Sequence, residues 1–182
     1  MDIRFDGKRA LVTGAGKGIG KGIAAALFVG GAETYALSRT QEDLDKLEAE
    51  HPSIHTVCVD LSDWAATRKV VEEIGPIDLL VNNAGVFIPV SFFETDEAVL
   101  DKTFAVNIKA VTNVSQIVAR GMVERGKGGA IVHISSSGSN TGSTNRLAYS
   151  VSKGALDQVM RVMALELGPH QVNLDTNINK LR

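Results

Sequence analysis

Apolar residues in this chain gather into short dense runs, and between the runs they recur every three to four positions on a polar background. The dense runs fall at 8–12, 33–38, 54–59, 77–81 and 130–134, and each reads as a strand. Helical spacing marks 21–29, 41–50, 64–74, 96–124 and 147–167, the last of these stopped by Gly168 and Pro169. Strict alternation of strand and helix predicts an α/β fold, a Rossmann-like, doubly wound parallel sheet covered on both faces, with its ligand crevice at the strand C-termini. The run at 77–81 is the most apolar and is expected near the sheet centre. No repeat, linker or low-complexity segment divides the chain, so 1–182 reads as a single domain.

Composition narrows the partners more than it changes the fold. At 182 residues, with 44% hydrophobic and 22% charged side chains, the chain can bury one sizeable core. A net charge of −2 provides no general attraction to phosphate backbones or anionic lipid, so neither nucleic acid nor a membrane surface is the expected partner. The N-terminus lacks the basic start and apolar run of a secretory leader, and no window reaches the length of a membrane helix, so a cytoplasmic location is expected. The single cysteine, Cys58, excludes an internal disulfide and reads as inert core packing. His51, His55, His133 and His170 are scattered without ligand spacing, and no metal is expected.

The candidate chemistry lies where strands run out. The first strand empties into Thr13-Gly14-Ala15-Gly16-Lys17-Gly18-Ile19-Gly20 ahead of a helix, the context in which Gly14, Gly18 and Gly20 let backbone amides approach a pyrophosphate. A dinucleotide is the natural ligand. The second strand ends in Ser38-Arg39, where an NAD site would place a carboxylate; a hydroxyl and a guanidinium there, with Lys17, suit a 2′-phosphate and favour NADP(H). Asp60 ends the third strand, placed to accept from an adenine amino group, although it or Ser62 can equally cap the next helix. The fourth strand leads into Asn82-Asn83-Ala84-Gly85, small enough to let a cofactor pass or simply tying loops together. Asn107 interrupts an apolar helical run, either kinking it beside the site or sitting satisfied on a surface. The fifth strand opens into Ser135-Ser136-Ser137-Gly138. Downstream, Tyr149 and Lys153 stand four residues apart on one helix face, where the ammonium favours the ionised phenol and readies it for proton transfer. Taken alone, that pair is equally at home on an ordinary amphipathic helix.

Taken jointly and in this order, Thr13-Gly14-x3-Gly18-x-Gly20, Asp60-Leu61, Asn82-Asn83-Ala84-Gly85, Asn107, Ser136 and Tyr149-x3-Lys153 resemble the short-chain dehydrogenase/reductase family over about residues 5–171. The resemblance implies an oxidoreductase that uses NADP(H) to reduce a small carbonyl substrate, a sugar or an α-dicarbonyl, and that assembles as a homo-oligomer, a tetramer in the family. It implies Tyr149 as general acid, Ser136 as the hydroxyl holding the carbonyl oxygen, Lys153 on the nicotinamide ribose and Asn107 ordering a water. It also implies cofactor contacts from Gly14, Lys17, Gly18, Ile19, Gly20, Ser38, Arg39, Asp60, Leu61, Asn83, Ala84, Gly85, Tyr149 and Lys153. In the part of the substrate pocket present, Ser136, Ser137, Ser143, Arg146 and Tyr149 are the expected lining; Arg146 can bind a polar carbonyl compound or point into solvent. The family continues past the point where this chain ends, so a C-terminally truncated fold is expected. After residue 171 only 172–174 has strand character and the rest reads as a polar, frayed tail. An unpaired edge and uncovered apolar surface beside the fifth strand are then expected, with a weaker hold on substrate. The alternative is a catalytically impaired form that binds NADPH, or full-length subunits, without turnover.

Overall fold

Residues 3–177 are described by the computed structural model. Strand β1 (Arg9–Thr13) leads through the glycine loop into helix α1 (Gly18–Val29), then β2 (Glu33–Ser38), α2 (Gln41–Glu50), β3 (His55–Cys58), α3 (Trp64–Ile74) and β4 (Leu79–Asn82). A second half follows: α4 (Glu97–Phe104), α5 (Val111–Arg125), β5 (Gly129–Ile134), α6 (Leu147–Leu167) and β6 (Val172–Asn177). All strands pair in parallel in the order β3-β2-β1-β4-β5-β6. The order reverses between β1 and β4, the central pair, and a crevice opens there at the strand C-termini. The chain has the expected Rossmann-like fold.

Two apolar layers hold the sheet between helices. On one face Leu11, Leu80 and Ile131 pack with Val71 of α3 and Val114, Val118 and Met122 of α5, with Met163 and Leu167 of α6 against them. On the other, Val12, Ala36 and Val81 pack with Ala24 of α1 and Leu44 and Leu47 of α2. Caps fix the helix starts. The Asp63 carboxylate accepts from the Ala66 amide at 2.9 Å to start α3, and Asp96 does the same for α4 through Val99. The cap of α3 is therefore neither Asp60 nor Ser62.

Three expectations are corrected. The long helix at 96–124 is three pieces: between α4 and α5 the backbone widens into a π-helical turn, Ala105–Ala110. The turn carries Asn107 inward. The polar tail is not frayed through residue 177, because β6 pairs with β5 along its length, from Gly129↔Val172 to Ile134↔Asn177. Val172 is buried and Leu174 half-buried, toward α5 and α6, while Asn173 and Asp175 are exposed, so this edge presents polar rather than apolar side chains. Finally, Cys58 is exposed, because β3 is an edge strand and its last residue faces outward. Residues 178–182 of the expected tail lie outside the described residues.

Candidate active site

A cleft of about 330 Å3 opens along the reversal point of the sheet. Its floor is the glycine loop, and its size is set by missing side chains. Gly14 adopts φ +63°, and a Cβ there would stand 2.8 Å from Ala84 Cα; at Gly20 a Cβ would run into Asn83 Nδ2 and the Gly14 carbonyl. The loops are tied across the cleft by Thr13 and Asn83. Thr13 Oγ1 accepts from the amides of Asn83 and Ala84, each at 3.1 Å, and Asn83 Nδ2 donates to the carbonyls of Thr13 and Gly14 at 3.0 and 3.1 Å. A Gly20→Ala substitution is expected to lower unfolding free energy by about 1–3 kcal/mol, as overpacking of backbone against backbone does. It should also weaken binding of a nicotinamide dinucleotide, measured by urea unfolding together with fluorescence titration; unchanged values in both would contradict the cradle.

One wall carries charge. Ser38 and Arg39 at the end of β2 line the cleft, as do Lys17, Ile19, Asp60 and Leu61. Arg39 is exposed and the Lys17 ammonium sits 3.9 Å from the Asp43 carboxylate. The Asp60 carboxyl is held below its usual range by the amide and hydroxyl of Ser62, at 2.9 and 2.8 Å. Gly18 opens α1 at φ +58° and is not among the lining residues. The donors and gaps present, a glycine cradle at a helix start with Arg39 and Lys17 beyond it, fit a phosphorylated dinucleotide.

The far end of the cleft reaches the second cluster through Gly85. A Cβ on Gly85 would lie 3.5 Å from Asn107 Oδ1 and 3.7 Å from Lys153 Nζ. Lys153 is 4% exposed; its ammonium donates to the Ile134 carbonyl at 2.7 Å and lies 5.8 Å from the Tyr149 ring centroid. Burial pushes the Lys153 amine down to about 8, against the upward pull of Asp157. Asn107 is fully buried, accepting from the Val86 amide at 2.8 Å and donating to the Val86 carbonyl at 3.1 Å and to Ser152 Oγ at 2.9 Å. It is thus the inward, bonded reading of Asn107 that holds, not the surface one.

Three consecutive serines leave β5 and the fold assigns them different places. Ser135 is buried and donates to Asp157 Oδ1 at 2.6 Å, and Ser137 is exposed and starts a short 3-10 turn. Ser136 is half-buried, with Oγ accepting from the Gly138 amide at 3.1 Å. A Cβ on Gly138 would be 3.5 Å from Ser136 Oγ and 3.9 Å from Tyr149 Cδ1, so the hydroxyl and the phenol ring flank one glycine. Phe87, which the sequence pattern does not single out, meets the Tyr149 ring edge-on at 5.2 Å, and the Arg146 guanidinium lies 5.2 Å over Phe87. Arg146 is exposed to solvent while its guanidinium rests over the Phe87 ring beside the cluster. Ser143 is exposed in the preceding loop.

Beneath the cluster runs a buried polar layer, invisible in the linear pattern. His133 and Asn82 are cross-strand partners; Asn82 Nδ2 donates to Ser115 Oγ at 2.9 Å and lies 3.2 Å from His133 Nδ1. His133 is fully buried, and burial first and Lys153 second push its imidazole down to about 4. Among the described residues no group of three or more His, Cys, Asp or Glu side chains forms a metal cage, and no helix is long and apolar enough to cross a membrane.

Residues 8–177 match the short chain dehydrogenase family. The chain is 53% identical to L-xylulose reductase of Bos taurus and 49% identical to "Carbonyl reductase [NADPH] 2" of Sus scrofa, covering 96% and 97% of this chain and 72% of each relative. Among solved structures, a gluconate 5-dehydrogenase from Burkholderia cenocepacia in complex with NADP and tartrate superposes with a TM-score of 0.87 at 30% identity, covering 97% of this chain and 71% of that one. With a parallel sheet in this order, a glycine cradle at its reversal point and a Tyr-Lys helix at its rim, this chain belongs to the short-chain dehydrogenase family.

Proposed function

We propose that this oxidoreductase uses NADPH to reduce the carbonyl group of small sugars or α-dicarbonyls, with L-xylulose to xylitol as the leading reaction. The observation that carries the reading is the convergence of the Tyr149 ring, the buried Lys153 ammonium and the Ser136 hydroxyl at the end of a cleft floored by glycine. Bound in that cleft, the reduced nicotinamide supplies the hydride. The protein's own groups do the rest. Tyr149 gives its hydroxyl proton to the substrate oxygen, and Ser136 donates a hydrogen bond to the same oxygen. Lys153 holds the ribose hydroxyls and favours the ionised phenol once the proton has left. Asn107 retains a second lone pair on Oδ1 facing Gly85, with which it orders a water toward Lys153. Phe87 and Arg146 form the wall that meets the substrate, joined by Ser137 and Ser143 at the rim.

Ser38, Arg39 and Lys17 receive the 2′-phosphate, which favours NADPH over NADH. Losing the charge-assisted bond from the guanidinium is worth about 10–100-fold in affinity. Arg39→Ala is expected to raise the KM for NADPH by that factor and to leave the KM for NADH unchanged; an equal rise for both would overturn the assignment. Residues 1–182 act as one NADP(H)-binding domain in the cytoplasm, in carbohydrate and specifically xylose metabolism. We take the assembly to be a homotetramer, supported by the apolar groove that α5 and α6 leave open along Ala119, Val123, Val159, Val162 and Met163. The deciding experiment follows loss of reduced-nicotinamide absorbance with L-xylulose and with diacetyl. Carbonyl-dependent oxidation of NADPH supports the reading, whereas binding of NADPH without its consumption would replace it with a non-turnover, cofactor-binding role.

A further inference from the structure

The polar layer under the site contains a carboxylate that the chemistry above does not use. Ile134 and Ser135, consecutive at the end of β5, each reach one residue of α6. The Ile134 carbonyl accepts from Lys153 Nζ at 2.7 Å, and the Ser135 hydroxyl donates to Asp157 Oδ1 at 2.6 Å. Lys153 and Asp157 stand four residues apart on one helix face, which makes their side chains neighbours. Ser135, Lys153 and Asp157 are 3%, 4% and 7% exposed. A carboxylate that deep is unfavourable unless both a hydrogen bond and an opposite charge offset its desolvation. Ser135 provides the first and Lys153 the second.

We infer that Asp157 is a positioning residue for the Tyr149–Lys153 pair: anchored by Ser135, it keeps Lys153 charged and fixes α6 against the strand end that presents Ser136. The inference rests on the proposed reading of Tyr149, Lys153 and Ser136 as the reacting groups. Among the described residues, the titratable groups facing Lys153 are Tyr149 and Asp157 from α6 and His133 from β5, while the π-helical turn brings the uncharged Asn107. His133 is neutral at physiological pH, so the upward pull on Lys153 within the set comes from Asp157. Burial already lowers the Lys153 amine to about 8 even with Asp157 pulling the other way. Without that pull, the amine would lose part of its charge near neutral pH and stabilise a phenolate less well.

Asp157→Asn tests this with little change of shape, since the amide oxygen can still accept from Ser135. In apo protein carrying isotope-labelled lysine, the NMR titration midpoint of Lys153 is expected to fall by about one pH unit, the scale of a single neighbouring charge. In turnover, kcat should fall at neutral pH and its alkaline limb should move to lower pH. The KM for NADPH, set mainly at Ser38 and Arg39, should change little. Ser135→Ala keeps the charge but frees the carboxylate from its anchor to move away from Lys153, and is expected to move the midpoint the same way by less. A Lys153 midpoint unmoved in whichever of these variants folds would overturn the inference. The titration needs no turnover, so its failure is separable from failure of the oxidoreductase reading, which would show as wild-type activity no greater than that of Tyr149→Phe.

Discussion

Tyr149→Phe is expected to lower kcat for carbonyl reduction by at least about 100-fold, and by up to about 10,000-fold, while the protein stays folded. The range is what a positioned general acid contributes, because without it the developing alkoxide must take its proton from water. Phenylalanine removes one hydroxyl and retains the ring, so the edge-on contact with Phe87 at 5.2 Å survives and the melting temperature should hardly change. NADPH affinity should also persist, since the lining of the nucleotide cleft does not include this ring. The measurement is a steady-state rate with L-xylulose or diacetyl beside a fluorescence titration of NADPH. A variant as fast as the wild type would remove Tyr149 from the chemistry. A variant that loses rate together with its cooperative melt would say only that the fold was damaged.

Acid should destabilise the protein from mildly acidic pH, well before its carboxylates titrate, through His133. The imidazole is fully buried and held down to about 4, whereas in the unfolded chain it returns to 6.5. Between those values the unfolded state binds a proton that the folded state refuses, so unfolding free energy falls as pH falls. The stability present above pH 6.5 is lost progressively down to about 4, and the difference between the two values corresponds to about 3 kcal/mol. Lys153 is protonated in both states over this window and adds no slope. Glu33 and Asp60 are held below their ordinary ranges, so their contribution to acid loss falls at the lower end. His133→Asn does not titrate, and its side-chain oxygen can take the place of Nδ1 beside Asn82. Urea unfolding across this pH range should therefore show the variant less stable than wild type near neutral pH, with the gap closing on acidification. Parallel curves for the two proteins would rule out His133 as the source.

Much of the architecture was legible along the chain because each element carries its own punctuation. Helices α2, α3 and α6 span the stretches marked by apolar spacing, with Pro169 just after the last of these, and β2 coincides with its dense run. Only the first half of strand β6, 172–174, was legible, because the strand lies at an edge. Its outward positions, Asn173 and Asp175, are polar, and only Val172 and Leu174 reach the core. A half-buried edge strand reads as a polar tail when its partner is 43 residues upstream in the register Gly129↔Val172. The π-helical turn escaped for a related reason. Asn107 lies in an otherwise apolar run, and the partners its side chain meets in the turn, Val86 and Ser152, are ones that only folding brings near.

The chemical types at the site, a phenol and an ammonium one turn apart, a serine cluster at a strand end and a glycine loop before a helix, were determined by sequence alone, because each depends on residues near in the chain. The tertiary structure separated the three serines, diverting Ser135 to Asp157, leaving Ser137 exposed and keeping Ser136 half-buried beside Gly138. It also decided that Phe87 stands against Tyr149, with Arg146 over Phe87, and that burial lowers the Lys153 amine to about 8. Those outcomes turn on burial and on contacts between distant segments, and the energies of both are set by what surrounds a side chain rather than by its neighbours in sequence.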